Sequence, residues 1–260
     1  MAGAVARLAL AYRARQALVS ARLARQITQA WRDLSQPARI DTNWPTIRSL
    51  MVASVLTARR ESASLAEHAY MEARRDAGID EDGFRPPRPP ALEGRRLTAS
   101  LDVTGPVEFK RAVAAGKSPQ QAVDAAAVRL AGSTTYLALD GGRQVMQQAI
   151  VRDERASGYA RVTDNDPCAW CAMLASRGPV YKSAATAGDP RRGGTTYHDA
   201  CACQAWPAFT LNEDFVGIAD RLYDDWLRET RGTGGRDAVN AFRRWWEAEG
   251  RARYEAPQRP

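Results

Sequence analysis

The sequence has few of the residues that usually carry chemistry: its 260 residues include only four cysteines and two histidines. It has no uninterrupted apolar run of about eighteen residues, so we expect no membrane span. No glycine-rich phosphate loop ending in Gly-Lys-Ser/Thr occurs, which argues against nucleotide hydrolysis. Arg7, Arg13 and Arg15 interrupt the first apolar residues before the core of a signal peptide could form. We therefore expect synthesis in a reducing cytoplasm.

Lysine is scarce as well, with three residues against 34 arginines, and the net charge is +7. Much of this charge lies in residues 1–40, which contain seven arginines and a single acid, Asp33. A basic helix of this kind could contact DNA or an acidic protein surface, and a solvated face that keeps the protein soluble is an equal alternative. No aromatic residues are spaced for stacking on single strands, so base readout is not expected.

What the chain does have is concentrated in one stretch that holds every cysteine and one histidine. The pattern is C-x2-C, a gap of 26 residues and then H-x2-C-x-C, formed by Cys168, Cys171, His198, Cys201 and Cys203. If Pro167 opens a helix or tight turn, the first two thiols lie on one side of it. In an extended segment the last two thiols point to the same face. Five candidate donors could therefore reach one tetrahedral ion that needs four.

From this spacing we predict a closed structural zinc site made of Cys168, Cys171, His198 and either Cys201 or Cys203. Three alternatives remain open on the residues alone. The cysteines could form two disulfides, they could be free buried thiols, or one of the last two could pair with His198 for catalysis. A reducing compartment favours metal or thiols over disulfides.

The two halves of the pattern, CAWCAMLASRGPVY and YHDACACQAWPAF, resemble the phage Mu protein F-like minor head proteins carried by tailed phages of actinobacteria. The resemblance extends over about Tyr159 to Phe209 and places the family's metal-ligand pattern on the five residues named above. It implies a structural protein of head morphogenesis, located in the virion at the portal vertex or inside the capsid. The partners implied are the portal protein or the major capsid protein. Apart from the resemblance, the Arg-rich first helix makes packaged DNA a candidate partner, and the N-terminal helices could instead join other copies of the chain as a bundle.

Two departures from that family are visible. The family often has Pro-Asn and Arg between the second-half ligands, where this chain has Asp199-Ala200 and Ala202. Some relatives are fused to a capsid maturation protease, and no matching segment is found here. An alternative from another class is a metal-dependent nuclease or other DNA-processing enzyme built on the cluster. Because Asp199 is the only adjacent acid and the one nearby histidine is a possible ligand, we expect no enzymatic activity.

Hydrophobic periodicity predicts an α+β protein that is predominantly α-helical. Four prolines and two glycines exclude a helix over residues 79–94 and divide the chain there. The predicted segments are an N-terminal helical hairpin that serves as an assembly arm (1–78), the Pro-rich linker (79–94), a helical region (95–157), the Cys/His module (158–210) and C-terminal helices (211–260).

Local signals add six expectations. Pro45 should lie in the first turn of the second helix, and Thr104-Gly105-Pro106 should open a short helix. The helix capped by Ser118 should be interrupted near Gly132 or Gly141-Gly142. Residues 187–196 should form a surface loop, Asn212 or Asp214 should cap a helix, and residues 256–260 should be disordered.

Overall fold

The chain is described by a computed structural model over residues 2–79, 82–164, 166–181, 197–199, 201–210 and 216–255. The prediction of a predominantly α-helical α+β fold is confirmed. The predictions for residues 187–196, 212–214 and 256–260 lie outside the described residues. Within the described ranges the elements are α1 (Ala2–Leu34), α2 (Ile40–Asp76), α3 (Gly94–Asp102), α4 (Glu108–Ala114), α5 (Pro119–Arg152), β1 (Gly158–Val162), α6 (Ala169–Ala175), β2 (Gln204–Ala208), α7 (Ala219–Glu229), α8 (Gly235–Trp245) and α9 (Arg251–Glu255).

The first two helices form the predicted antiparallel hairpin. Trp31 near the end of α1 packs edge-on against Trp44 near the start of α2, with ring centroids 5.9 Å apart. Further along, the Gln16 amide donates to the Ser62 carbonyl across the pair at 2.9 Å. The second helix begins earlier than predicted, so that Pro45 lies inside it rather than in its first turn. Burial of Ile40 beside these tryptophans favours the earlier start.

The long helix α5 is continuous, so the predicted interruption at its glycines is wrong. Ser118 caps it through a reciprocal capping box with Gln121. A Cβ added to Gly141 would lie 2.6 Å from the Arg59 carbonyl oxygen, and one on Gly142 would lie 2.6 Å from that of Ser62. These glycines therefore allow α5 and α2 to approach closely. From the sequence alone, a glycine that permits close helix packing cannot be distinguished from one that ends a helix.

The segment before α4 also differs from the prediction. Gly105 and Pro106 do not open a helix but lie in a π-helical turn, Val103–Val107, that continues α3 into α4. A Cβ on Gly105 would lie 2.9 Å from the Trp44 ring, so this turn is seated directly on the hairpin. Close contact with the Trp44 ring, rather than helix capping, explains why a glycine occupies position 105.

Two large hydrophobic cores lie within the described part of the chain. The distal core is formed by α1 to α5 and includes Trp31, Trp44, Ile47, Leu101 and Leu130. The sheet core joins α1, α2 and α5 to the strands and the C-terminal helices, and includes Tyr70, Met146, Trp206, Phe242 and Trp246. The hairpin therefore contributes side chains to both cores and is not a free arm. Its assembly role and the boundaries of the five predicted segments stay predictions.

The Pro-rich segment is extended, as predicted, and is fixed to α2 over its described part. The Asp82 carboxylate pairs with buried Arg74 at 2.8 Å, and the same guanidinium lies over the Phe84 ring at 4.8 Å. Farther along, Arg59 donates to the Pro90 carbonyl at 3.2 Å. These contacts make the segment a strap along α2 rather than a free spacer.

A two-stranded antiparallel sheet follows α5. β1 pairs with β2 in the register Gly158 with Ala208 through Val162 with Gln204. Beside β1, Tyr181 forms a single antiparallel bridge with Tyr159. Both strands are buried along their whole length, since α5 and α1 pack against them.

Candidate metal centre

The five predicted donors come from three places that the sheet brings together. Cys168 is the N-cap of α6, where its sulfur accepts from the backbone N–H of Cys171 one turn later. Cys201 and Cys203 lie in the segment that leads into β2, and His198 precedes them. The N–H of Cys201 donates to the carbonyl of His198 at 3.0 Å, which turns the chain back toward α6. Pairing of β2 with β1 and packing of β1 on α6 then hold both halves of the motif together.

The donor atoms form two groups that share Cys171. In the buried group the Cys171 sulfur lies 3.5 Å from that of Cys201 and 3.2 Å from that of Cys203, and the last two are 3.2 Å apart. In the outer group the Cys168 sulfur lies 3.1 Å from the Nε2 atom of His198. Within each group all ligand atoms lie within 4.8 Å of one another. All five predicted donors are therefore brought together.

This geometry fits a thiophilic metal. Sulfurs on a tetrahedron with Zn–S bonds of about 2.3 Å are roughly 3.8 Å apart, close to the observed separations. All four cysteines are free, so neither of the two disulfides considered from the sequence is present. The metal itself and its ligand set stay predictions, with Cys171 the one donor common to both groups.

His198 is oriented by its own backbone neighbour. Its Nδ1 atom lies 2.8 Å from the Asp199 carbonyl, which can only accept, so Nδ1 bears the proton and Nε2 faces Cys168. A catalytic pair was considered between His198 and Cys201 or Cys203, whereas the structure places Cys168 beside the imidazole. The second histidine, His68, is exposed on α2, and its imidazole lies within hydrogen-bond distance of the Ser64 carbonyl in the same helix.

Two arginines that the sequence analysis did not single out surround the buried sulfurs. The guanidinium of Arg143 donates to the backbone carbonyls of Cys201 at 2.5 Å and Cys203 at 3.4 Å. Arg161 donates to the Cys203 sulfur at 3.3 Å. The two guanidiniums also lie on the ring of Tyr197, at 3.9 and 4.0 Å from its centroid. Both arginines are 1% exposed, so their charge bears on the cluster without screening by water.

A signal for one of these arginines was present in the sequence. Strand periodicity places Arg161 on the same face as Tyr159 and Thr163, which is an unusual position for a charge in a buried strand. Arg143 gave no such signal, because it looked like any arginine in a long helix. Its role follows only from the close crossing of α5 and the segment before β2.

Contacts among the sulfurs move the pKa values of the thiols in opposite directions. Hydrogen bonds from Cys171 and His198 lower the pKa of Cys168 to about 4, and the contact with Cys168 raises the pKa of Cys171 well above its usual value. Hydrogen bonds from Cys171 and Cys203 lower the pKa of Cys201. For Cys203 the bond with Cys171 acts downward, but the contact with Cys201 and burial outweigh it and raise the pKa to about 12. A metal ion would therefore have to displace protons from Cys171 and Cys203.

The C-terminal helices hold the turn that presents Cys168. The Trp246 indole donates to the Pro167 carbonyl at 3.1 Å, and Arg251 forms a bidentate pair with Asp166 at 2.6 and 2.7 Å. Trp246 is 2% exposed, so this tryptophan packs within its own chain. The first half of the motif is thus braced by elements that follow it by some 80 residues in the chain.

Fold and site together define a predominantly helical α+β protein with a thiol-rich cluster on a small buried sheet. The VG15 protein family matches residues 5–228, so the chain belongs to that family. It is 29% identical over 157 residues to the Gene 15 protein of Mycobacterium phage D29, an alignment that covers 59% of this chain. The chain spans about half the length of that relative, 54% of it. No solved structure matches the chain significantly.

These findings identify a phage protein of the mycobacteriophage type. They do not single out the phage Mu protein F-like proteins, so that narrower resemblance remains a prediction. None of the described helices is long and apolar enough to cross a membrane.

Proposed function

We propose that this chain is a structural minor head protein of a tailed bacteriophage that acts in head morphogenesis or in DNA packaging and ejection. The observation that carries the proposal is membership of a phage protein family over most of the chain, together with the head-protein-like motif within residues 159–209. The phage Mu protein F-like resemblance supplies the finer role, a position at the portal vertex or on the capsid interior. The partners proposed are the portal protein or the major capsid protein.

We further propose that the cluster is a structural zinc centre and that the protein is not an enzyme. The donor set consists of thiolates and an imidazole, which zinc prefers, and Cys171 is central to it. The metal would crosslink α6 to the segment before β2 and so fix a small sheet that has only two strands. A closed site of this kind supplies folding free energy rather than a reactive water.

Contact with packaged DNA through α1 is the remaining part of the proposal. Among the described residues, Arg13, Arg22 and Arg32 are engaged in ion pairs with Asp164, Glu61 and Asp124. The exposed side chains of Arg7, Arg15 and Arg25 have no ion pair within the described ranges. Those three charges are the ones that α1 can offer to phosphates or to an acidic partner.

The location is tested by quantitative mass spectrometry on purified particles of the phage that encodes this chain. Procapsids, DNA-filled heads and tails are separated, and peptides of this chain are counted against those of the portal and major capsid proteins. We expect a fixed low copy number in procapsids and heads and none in tails. Presence in infected-cell lysate with absence from both head fractions would refute the proposal.

The enzymatic alternative is tested separately with purified protein, plasmid DNA and a panel of divalent metals. We expect no cleavage above that of the chelator-treated protein. Cleavage that is lost in both Asp199→Ala and His198→Ala would overturn the non-enzymatic assignment, since those residues flank the cluster.

A further inference from the structure

A groove lies between α2 and the Pro-rich strap, and none of the five candidate metal ligands lines it. Its volume is about 530 Å³, which falls within the range of roughly 300–1,000 Å³ that is usual for ligand pockets. On α2 the groove extends from Leu56 to Glu67, a length of about 16 Å at 1.5 Å per residue. That length corresponds to about five residues of an extended chain.

The strap forms one wall of this groove and is held in place without an occupant. Pro89 and Leu92 are half-buried, whereas Arg88 and Ala91 are exposed, so the exposure of the strap repeats every three residues here. A period of three is that of a polyproline II chain. Buried Arg59 donates to a strap carbonyl at 3.2 Å and fixes the wall to α2. The groove is therefore preformed.

The floor of the groove is apolar. Leu56 and Ala63 of α2, Val145 of α5 and Leu92 of the strap line it. The two leucines and the alanine are only half-buried, so an occupant that covers them would remove apolar surface from water. A phosphate backbone offers nothing to such a floor. The occupant must therefore carry an apolar side chain.

Charge at the rim restricts the occupant further. Arg60 and Arg88 line the groove, are exposed and form no ion pair within the described ranges. Arg59 is neutralised by Asp140 at 3.0 Å. Among the lining residues Glu67 is the one acid, so the two exposed arginines leave the rim positive. Charge complementarity then favours carboxylates on the occupant.

The composition of the strap favours a peptide over another amphipathic acid. Three of its six lining residues are prolines, which accept hydrogen bonds through their carbonyls but have no N–H to donate. The Pro90 carbonyl is used by Arg59, which leaves those of Pro87 and Pro89 as acceptors. An extended peptide has backbone N–H groups for such acceptors, whereas a fatty acid has none.

We propose that the groove between α2 and the strap binds an extended segment of a partner protein, with an apolar side chain on the floor and flanking carboxylates at Arg60 and Arg88. The proposal goes beyond the head-protein role and does not depend on the metal centre, because the groove and the cluster share no residue. Absence of the chain from phage heads would therefore leave it standing.

The occupant is tested by selection of a displayed library of random peptides on the full chain, followed by fluorescence anisotropy with the selected peptides. We expect them to share an apolar residue flanked by acidic residues and to bind less tightly as salt is raised. Ser64→Trp, at an exposed lining position, should abolish binding because the indole fills the groove. Ser49→Trp, exposed on the same helix outside the groove, is the matched control, and circular dichroism checks that both variants fold.

The charge argument is tested with the same peptides. Arg88→Glu should weaken binding by about 3- to 10-fold, because an exposed ion pair is lost and a repulsion is added. Arg129→Glu, exposed on α5 outside the groove, should leave the affinity unchanged. Peptides without acidic residues, or no enrichment that depends on an open groove, would overturn the proposal. Binding of laurate but of no selected peptide, lost in Ser64→Trp, would overturn it in favour of an acyl ligand.

Discussion

The distal core and the candidate metal centre both join distant parts of the chain, but they do so by opposite means. Around Trp31 and Trp44 the helices bury large apolar side chains, and the Trp31 indole finds its acceptor in the Val123 carbonyl at 2.9 Å. Around Cys171 the buried groups are small, polar and charged, and two arginines and several thiols replace the apolar filling. The first region can be stable from burial alone. In the second, the proposed metal would bind the thiols and add stability.

This difference indicates where the proposed metal would contribute to stability. The Tyr197 hydroxyl and both polar atoms of the Gln204 side chain are buried without a hydrogen-bond partner in the described ranges. Each such atom costs about 1–3 kcal/mol. The distal core has far fewer groups of this kind, so removal of a metal should affect the two regions unequally.

The largest effect is expected from Cys171→Ser, which removes the donor shared by both groups of ligands. Zinc content should fall to near zero, and residues 158–208 should lose protection from hydrogen exchange while α1–α5 keep much of theirs. Apparent zinc folding energies in small peptides are roughly 10–16 kcal/mol, so the local loss should exceed that of any core truncation. The measurements are metal analysis and exchange mass spectrometry.

The control for this variant is Val55→Ala in the distal core, at a side chain that is fully buried. It should lower the melting temperature yet leave zinc content at its original value. If both variants lose zinc equally, the two regions unfold as one unit and the comparison fails.

The next largest effect is expected from Trp31→Ala. The change removes a fully buried ring that packs on Trp44 and donates to Val123, so it should cost about 3–5 kcal/mol of unfolding free energy. Urea denaturation followed by circular dichroism measures it. Leu18→Ala lies on the same helix at a side chain that is 68% exposed and should cost little. A Trp31→Ala loss no larger than that of Leu18→Ala would contradict the distal core as described.

The sequence predicted much of the distal region and only part of the centre. Periodicity gave the hairpin, and the Ser118-Pro119 signal gave the start of α5, because local apolar spacing and capping decide both. Cysteine spacing gave the five donors. It could not give Arg143 or Tyr197, whose role depends on how α5 crosses the segment before β2. The prediction that the glycines interrupt α5 was wrong for the same reason, because the close approach of two helices depends on how both of them pack.

A smaller effect is expected from Gly142→Ala, which tests that close approach. The added Cβ would lie 2.6 Å from the Ser62 carbonyl and 2.8 Å from the Gln16 amide, so α5 must shift away from the hairpin. Overpacking of this kind costs about 1–3 kcal/mol, visible in thermal unfolding. Gly94→Ala at the start of α3 has open space around it and should be neutral or slightly stabilising. A neutral Gly142→Ala would mean that the helices have room to separate.

The smallest effect concerns the surface of α1, where neither core is touched. Replacing Arg7, Arg15 and Arg25 together with Gln should leave the melting temperature and zinc content unchanged, because these side chains are exposed. If α1 contacts DNA, affinity should fall several-fold at low salt, and the slope of log affinity against log salt should decrease by about 0.9 for each lost phosphate contact. Fluorescence anisotropy with a duplex across a salt series measures both.

The control with equal charge loss replaces exposed Arg95, Arg96 and Arg129 with Gln. If both triple variants weaken binding equally, the effect is one of net charge and α1 is not the DNA-binding surface; a flat salt series would instead mean that α1 faces protein or solvent.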